Sequence, residues 1–134
     1  MSGLVLKLGP RERIMIIGVV MENGDRRARL NIVTPDARVL RLRDAIHPER
    51  VNTPVRRVCY IAQLVLAGEA NPEEARRQLL RGIEQLSQVF RDPDSGRHLS
   101  EATTAVVEGR FYQAMKALRA LMPREARMLG VREV

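Results

Sequence analysis

The stretch NGDRRARLNIVTPDARVLRLRDAIHPERVNTPVRRVCY, residues 23–60, contains the change from strands to helices on which the fold depends. It begins with Asn23-Gly24, a dipeptide that readily adopts the positive φ of a tight hairpin turn, so we expect paired antiparallel strands on either side. It ends in Thr53-Pro54 and the start of a helix, because a threonine cap followed by proline is typical of a helix N-terminus. The arginine pairs Arg26-Arg27 and Arg56-Arg57 lie beside these two chain reversals.

Strand-like patterns occupy the first third of the chain. Apolar residues predict strands at residues 4–8, 14–21, 28–33 and 39–43. Gly18, in the middle of the second, predicts a bulge. Thr34-Pro35-Asp36-Ala37 predicts a further turn. Strict alternation in the last strand places Val39, Arg41 and Arg43 on one face, which we expect to be exposed to solvent.

Helical patterns occupy the rest. We expect helices from Pro54 to about Ala67, from Asn71-Pro72 through a seam ending at Phe90, and from about Leu99 to Met122 with a weak point at Gly109. The stretch Asp92–Gly96 predicts a break, and a short last helix should reach Met128. The fold class predicted is α+β, with a small antiparallel, barrel-like β module at 1–50 followed by a helical module at 53–130.

The charge of the chain is concentrated in its first half. Among 134 residues, 23 are basic and 16 acidic, a net charge of +7; residues 1–57 hold 12 basic and 6 acidic residues (+6), and residues 58–134 hold 11 and 10 (+1). Arginine dominates the basic residues, which favours bidentate phosphate contacts, although a GC-rich genome gives the same bias. A surface for a polyanion should therefore lie in the first half.

Composition also indicates the cellular compartment in which we expect the protein. One cysteine, Cys59, excludes an internal disulfide and fits a reducing cytoplasm. No apolar run approaches the ~20 residues of a membrane span. We expect a cytoplasmic protein that does not contact membranes.

Two segments resemble the family of the flagellar biosynthesis regulator FlbT. They are VVMENGDRRARL and LRLRDAIHPERVNTPVRRVCYIAQLVLAG, which contain an NGDRR motif, an RxxDI-like segment and a TPxRxxY block in the family's order. The likeness covers about residues 4–130 and is strongest in the first half. It implies post-transcriptional control of flagellin through binding of the 5′ untranslated region of flagellin messenger RNA.

A more local likeness connects the β portion with the RNA-binding regulator CsrA. LVLKL, RERIMI and RLNIVTPDARVLRLRDAI resemble its strand order, and the likeness implies that Arg43 grips single-stranded RNA. Leu8 stands where CsrA has a first-strand arginine, and Lys7 should point to the opposite face. Arg11 replaces a glycine. These departures weigh against a GGA-type specificity and against an intertwined dimer.

The candidate RNA-binding residues are the arginines of the predicted hairpin end, strand face and helix start: Arg26, Arg27, Arg29, Arg41, Arg43, Arg56 and Arg57. Phosphates would supply the affinity, and guanidinium planes would stack on unpaired bases. The alternative is that they are ordinary solvated charges. Arg56 and Arg57 oppose the dipole of their helix, so an anion bound there would relieve a repulsion.

Signals for catalysis are weak. His47 and His98 are isolated, no spacing suggests a metal site, and no nucleotide-binding loop or nucleophile elbow is present. We expect no enzyme activity and no cofactor. Tyr60 could stack on a base but is more typical of a packed ring, and Cys59 belongs to an apolar stripe.

A protein-binding adaptor is the main functional alternative. Met115, Leu118 and Met122 would suit an adaptable partner surface, or would bury against the seam of the preceding helix in a bundle. The resemblance implies FlaF, or flagellin itself, as a partner, with only an indirect effect on the messenger. Because the β module is too small to close its own core, we also expect a homo-oligomer.

Overall fold

A computed structural model describes residues 4–35 and 37–130. The elements follow the expected order, with strands first and helices second, which confirms the α+β class. The five strands are β1 (Leu4–Leu8), β2 (Arg13–Ile16), β3 (Val19–Glu22), β4 (Ala28–Ile32) and β5 (Val39–Arg41). Two 3₁₀ turns, Leu42–Asp44 and Pro48–Arg50, connect them to the helices α1 (Pro54–Leu66), α2 (Pro72–Ser87), α3 (Pro93–Val107), α4 (Phe111–Arg119) and α5 (Met122–Leu129).

The strands form two small antiparallel sheets. In one, β1 pairs with β4; in the other, β2 lies between β3 and β5. The chain turns between β2 and β3 at Ile17-Gly18, where φ is 49° and 79° respectively. Both central residues therefore have the positive φ of the turn that suits a two-residue hairpin.

The predicted hairpin at Asn23-Gly24 is wrong. This dipeptide connects β3 to β4, which lie in different sheets, and the side chain of Asn23 ties the connection by donating to the carbonyls of Gly9 (2.7 Å) and Arg26 (2.9 Å). The run at residues 14–21 is two strands, and Gly18 is a turn residue rather than a bulge. The turn predicted at Thr34-Pro35-Asp36-Ala37 includes Asp36, which lies outside the described residues.

The helices form a ring of contacts typical of a four-helix bundle: α1 packs on α2 and α4, and α3 packs on the same two helices. Three of them begin with a capping residue followed by proline. The cap oxygens of Thr53, Asn71 and Asp92 accept backbone N–H groups of the first turn at 2.9–3.2 Å. The break predicted at Asp92–Gly96 is therefore the start of α3, and Gly109 (φ 77°) follows its end.

Two groups of buried residues hold these layers together. The helices and the residues Leu40 and Ile46 share one large cluster, and the predicted seam of Leu79, Ile83, Leu86 and Phe90 is buried in it. A smaller cluster of Leu6, Leu8, Ile14 and Val39 lies among the strands. Tyr112, on α4, packs against both clusters and so joins the strands to the bundle.

Candidate nucleic-acid interface

The most buried arginine of the strand region is Arg41, which forms an internal ion pair. Its Nε and Nη2 donate to the two carboxylate oxygens of Glu12 at 2.7 and 2.8 Å, and Nη2 also donates to the Lys7 carbonyl at 2.6 Å. The arginine is 9% exposed. These hydrogen bonds hold the pKa of Glu12 at about 2. Arg41 therefore fastens β1 and the loop after it to β5, and its charge is paired with that of Glu12.

The predicted exposed face of the last strand is wrong for the same reason. All three residues of β5 are buried, because β2 pairs with one edge of the strand and helix α1 contacts it. The strand also ends at Arg41, two residues before the predicted end, and Arg43 belongs to the following 3₁₀ turn. Arg41 and Arg43 do not share a strand face.

A basic groove forms beside β1 and β4. Its volume is about 530 Å³, and its cationic lining consists of Lys7, Arg27, Arg29 and Arg43. Lys7 lies directly opposite Arg29 in the β1–β4 ladder, so both side chains leave the sheet on the same face. Like charges directly opposite each other across a ladder are destabilising. An anion bound between them would remove this repulsion.

Few carboxylates offset the charge of the groove. Among the described residues, none of the ion pairs involves Lys7, Arg27 or Arg29, and all three are exposed. Arg43 lies 3.6 Å from Glu12, whose oxygens Arg41 already engages, and 3.9 Å from Asp44. The groove therefore keeps a net positive charge.

A second groove shares one lining residue with the first. It has a volume of about 280 Å³ and is lined by Arg41, Arg43, Asp44, Tyr112, Met115, Lys116 and Arg119. Arg43 lines both grooves. The two grooves adjoin at Arg43 and carry cationic side chains from the β1–β4 sheet to helix α4, where a tyrosine also lines them; we call the two together the basic path.

Sequence reasoning missed part of this path. Alternation in β1 predicts Lys7 on the face opposite Leu8, and the structure confirms it, with Leu8 buried and Lys7 exposed. The β1–β4 pairing then places Lys7 against Arg29, which no local signal shows. Tyr112, Lys116 and Arg119 join the path only because α4 packs close to the 3₁₀ turn, where Arg119 donates to the Asp44 carbonyl at 2.9 Å.

The predicted arginines at the helix start lie elsewhere. Arg56 is half-buried and Arg57 is exposed, and neither lines either groove. The helix dipole is expected to repel Arg56 and Arg57 at the start of α1. A carboxylate of the chain itself already lies there, because buried Glu125 accepts the Val55 N–H at 2.9 Å. Arg26 is exposed and does not line the groove either.

The methionine surface predicted for a protein partner is largely inside the bundle. Met115 and Leu118 are buried in the large cluster, and Met122 is half-buried against it. The bundle interpretation of these residues is therefore the one that the structure supports. Tyr60 also packs against this cluster, as expected.

Other reactive groups in the described part of the chain are buried or lie apart from one another. Cys59 is fully buried, and this desolvation raises the pKa of its thiol to about 12. Within residues 4–35 and 37–130, no three histidine, cysteine or carboxylate side chains come together as a metal site would require. Every helix in the described part of the chain is too short or too polar to cross a membrane.

Comparison with known proteins gives the family. The sequence model of the family described as flagellar protein FlbT matches residues 4–129. The chain belongs to this family. A relative from Allorhizobium ampelinum is 33% identical over 133 residues, covering 99% of this chain and 88% of that relative. Relatives from Mesorhizobium japonicum (95% and 85% covered) and Brucella abortus (99% and 86% covered) are each 32% identical.

These three relatives carry the name "Probable flagellum biosynthesis repressor protein FlbT". No solved structure matches the chain. The likeness to FlbT predicted from the sequence motifs is confirmed over nearly the whole chain.

Proposed function

We propose that this protein regulates flagellum biosynthesis by binding the 5′ untranslated region of flagellin messenger RNA along the basic path, and that the outcome is repression. The names of the relatives support the role in flagellum biosynthesis and repression as its outcome. The observation that carries the RNA contact is the convergence of Lys7, Arg27, Arg29 and Arg43 on one groove.

The chemistry of the path suits an RNA strand. Arginine forks match phosphate oxygens, and the like-charge pair of Lys7 and Arg29 supplies a point where a phosphate stabilises the sheet. At the far end, Tyr112 and Arg119 offer flat groups on which an unpaired base would stack. A single-stranded or looped leader therefore fits this surface better than a regular duplex, whose bases stay inside the helix.

The test measures binding of the purified protein to a flagellin leader RNA over a range of salt concentrations. The double variant Arg27→Glu/Arg29→Glu should bind at least about tenfold more weakly, and its salt slope should fall by about 0.7 for each phosphate that it no longer neutralises. A matched control is Arg77→Glu/Arg81→Glu, which changes the net charge equally at two positions of α2 outside the basic path.

Two results would contradict the proposal. Equal losses of affinity in the two double variants would mean that only net charge matters. Binding that requires added FlaF or flagellin would favour the adaptor interpretation, in which the effect on the messenger is indirect.

A further inference from the structure

Exposed apolar side chains are concentrated on the β2–β3 hairpin. Ile17 is 69% exposed, Val19 60%, Val20 53% and Met21 45%. Large apolar residues exposed singly are ordinary, but four within five consecutive residues of one edge hairpin indicate a surface that another molecule covers. This hairpin lies outside both parts of the basic path.

The residue at the hairpin tip has a strained backbone conformation, which lowers the stability of the fold. Ile17 has a φ of 49°, a region that a β-branched side chain rarely adopts, and asparagine or glycine would form the same turn without strain. Its side chain reaches solvent rather than the core. Neither the turn nor the core of the monomer therefore explains an isoleucine at this position.

The backbone of β3 is also unpaired on one side. Among the strands of residues 4–35 and 37–130, it is the edge strand of its sheet, with β2 as its neighbour. The Asn23 N–H donates to the Glu12 carbonyl at 2.8 Å, and hydrogen-bonded pairs alternate along a ladder, so Val19 and Met21 bond toward β2 while Val20 bonds outward. The residues 19–21 include none of the charges or prolines that usually protect an edge strand.

We propose that β3 pairs in antiparallel fashion with β3 of a second copy of this chain, about a two-fold axis at Val20. In this register Val20 lies opposite its own copy and Val19 lies opposite Met21. The two three-stranded sheets become one sheet of six strands, ordered β5-β2-β3 and then the same three in reverse. Such an interface uses the same patch on both copies, as a two-fold dimer requires.

Charge supports a second copy as the occupant. The one charged residue of β3 is Glu22, and it is already engaged by Arg13 at 2.9 Å and Arg11 at 3.2 Å. In the proposed register Glu22 falls opposite Gly18, so like charges do not meet. A partner with a charged strand would find no unneutralised charge on β3 to recognise.

The area of the exposed apolar patch determines how tightly the two copies should bind. A patch on the order of several hundred Å² per copy gives a total near the lower end of specific interfaces. The dimer should therefore be weak and depend on protein concentration.

Sedimentation velocity of the full chain over a concentration series tests this pairing. The unchanged protein should shift from monomer to dimer as concentration rises. Val20→Lys, which places a charge at the axis, should raise the dissociation constant at least about a hundredfold. Val107→Lys is the matched control, since Val107 is similarly exposed (57%) at the end of α3, and it should dimerise like the unchanged protein.

A second variant separates pairing from folding. Ile17→Asn should raise the melting temperature in dilute solution, where the chain is monomeric, because it relieves the strained φ; it should also weaken dimerisation. A monomer at every concentration, or a Val20→Lys variant that dimerises normally, would overturn the proposal. So would a stable complex in which a different protein, rather than a second copy, protects β3.

Discussion

The strand region and the helical region bury their apolar residues in different ways. The four helices of the ring share one continuous cluster to which every helix contributes. The buried members of the strand cluster are Leu6, Leu8, Ile14 and Val39, divided between two small sheets, and the other side chains packed against it are only partly buried. The helical region is therefore stabilised mainly by burial of apolar surface, whereas the strand region needs other interactions.

The buried ion pair supplies one such interaction. Glu12 directly precedes β2, which pairs with β5 in one sheet, so its bonds to Arg41 lie within that sheet. The bond from Arg41 to the Lys7 carbonyl of β1 links this sheet to the other one. A buried pair of this kind adds less net stability than its geometry suggests, but removing one partner leaves an uncompensated charge. The strand region should accordingly be sensitive to charge, and the helical region to the volume of its side chains.

The largest effect should come from breaking the ion pair on one side. Arg41→Met removes the closest partner of the Glu12 carboxylate, leaving the exposed Arg43 at 3.6 Å and the Gly9 N–H at 3.0 Å, and should lower the free energy of unfolding by about 4 kcal/mol. The double variant Arg41→Met/Glu12→Leu should recover most of that loss, since no charge then remains buried. Urea unfolding of both variants measures this, and additive losses in the double variant would contradict it.

Leucine truncation tests the other side of the comparison. Leu118 and Leu6 are both almost fully buried, one in each cluster. Leu118→Ala should cost about 3 to 4 kcal/mol, because the bundle surrounds the cavity and cannot collapse into it; Leu6→Ala should cost about 2 kcal/mol, because a two-stranded sheet can shift. Urea unfolding under the same conditions gives both values. Equal costs would mean that the two clusters are packed alike.

Acid should affect the strand region through Glu12. Because its folded pKa of about 2 lies below the usual 4.5, this carboxylate stabilises the fold at higher pH, and that stability is lost as pH falls from about 4.5 toward 2. The loss should reach about 3 kcal/mol at the acid end. Comparing stability against pH with Glu12→Gln isolates this residue from the other carboxylates. Parallel curves for the two proteins would show that Glu12 does not carry the effect.

Several predictions from the sequence hold because their signals are local. A capping side chain and a proline act within one turn, so the starts of α1 and α2 are readable at Thr53-Pro54 and Asn71-Pro72. The helices do break before Asp92-Pro93, but Ser95 and Gly96 favour a turn and led to the wrong prediction that the next helix begins only at about Leu99. In β1, alternation correctly places Lys7 on the face opposite Leu8.

The candidate site is only partly predictable from the sequence. Arg27, Arg29 and Arg43 line one groove, while Arg41, two residues before Arg43, is paired with Glu12. The hairpin prediction fails because Asn23-Gly24 is the stronger turn signal in the sequence, whereas the chain turns at the strained Ile17-Gly18. No local rule ranks an isoleucine above an asparagine at such a turn.

The sequence by itself determined the order of strands and helices and the excess of positive charge in the first half. It also determined which residues of β1 face the core and which face solvent. The tertiary structure decided which strands pair, which arginines line the groove, and which acid caps α1. Glu12 and Arg41 are 29 residues apart, and Glu125 and Val55 are 70 apart. Propensity and periodicity act over a few neighbouring residues, while ion pairs and strand pairing join groups that only folding brings together.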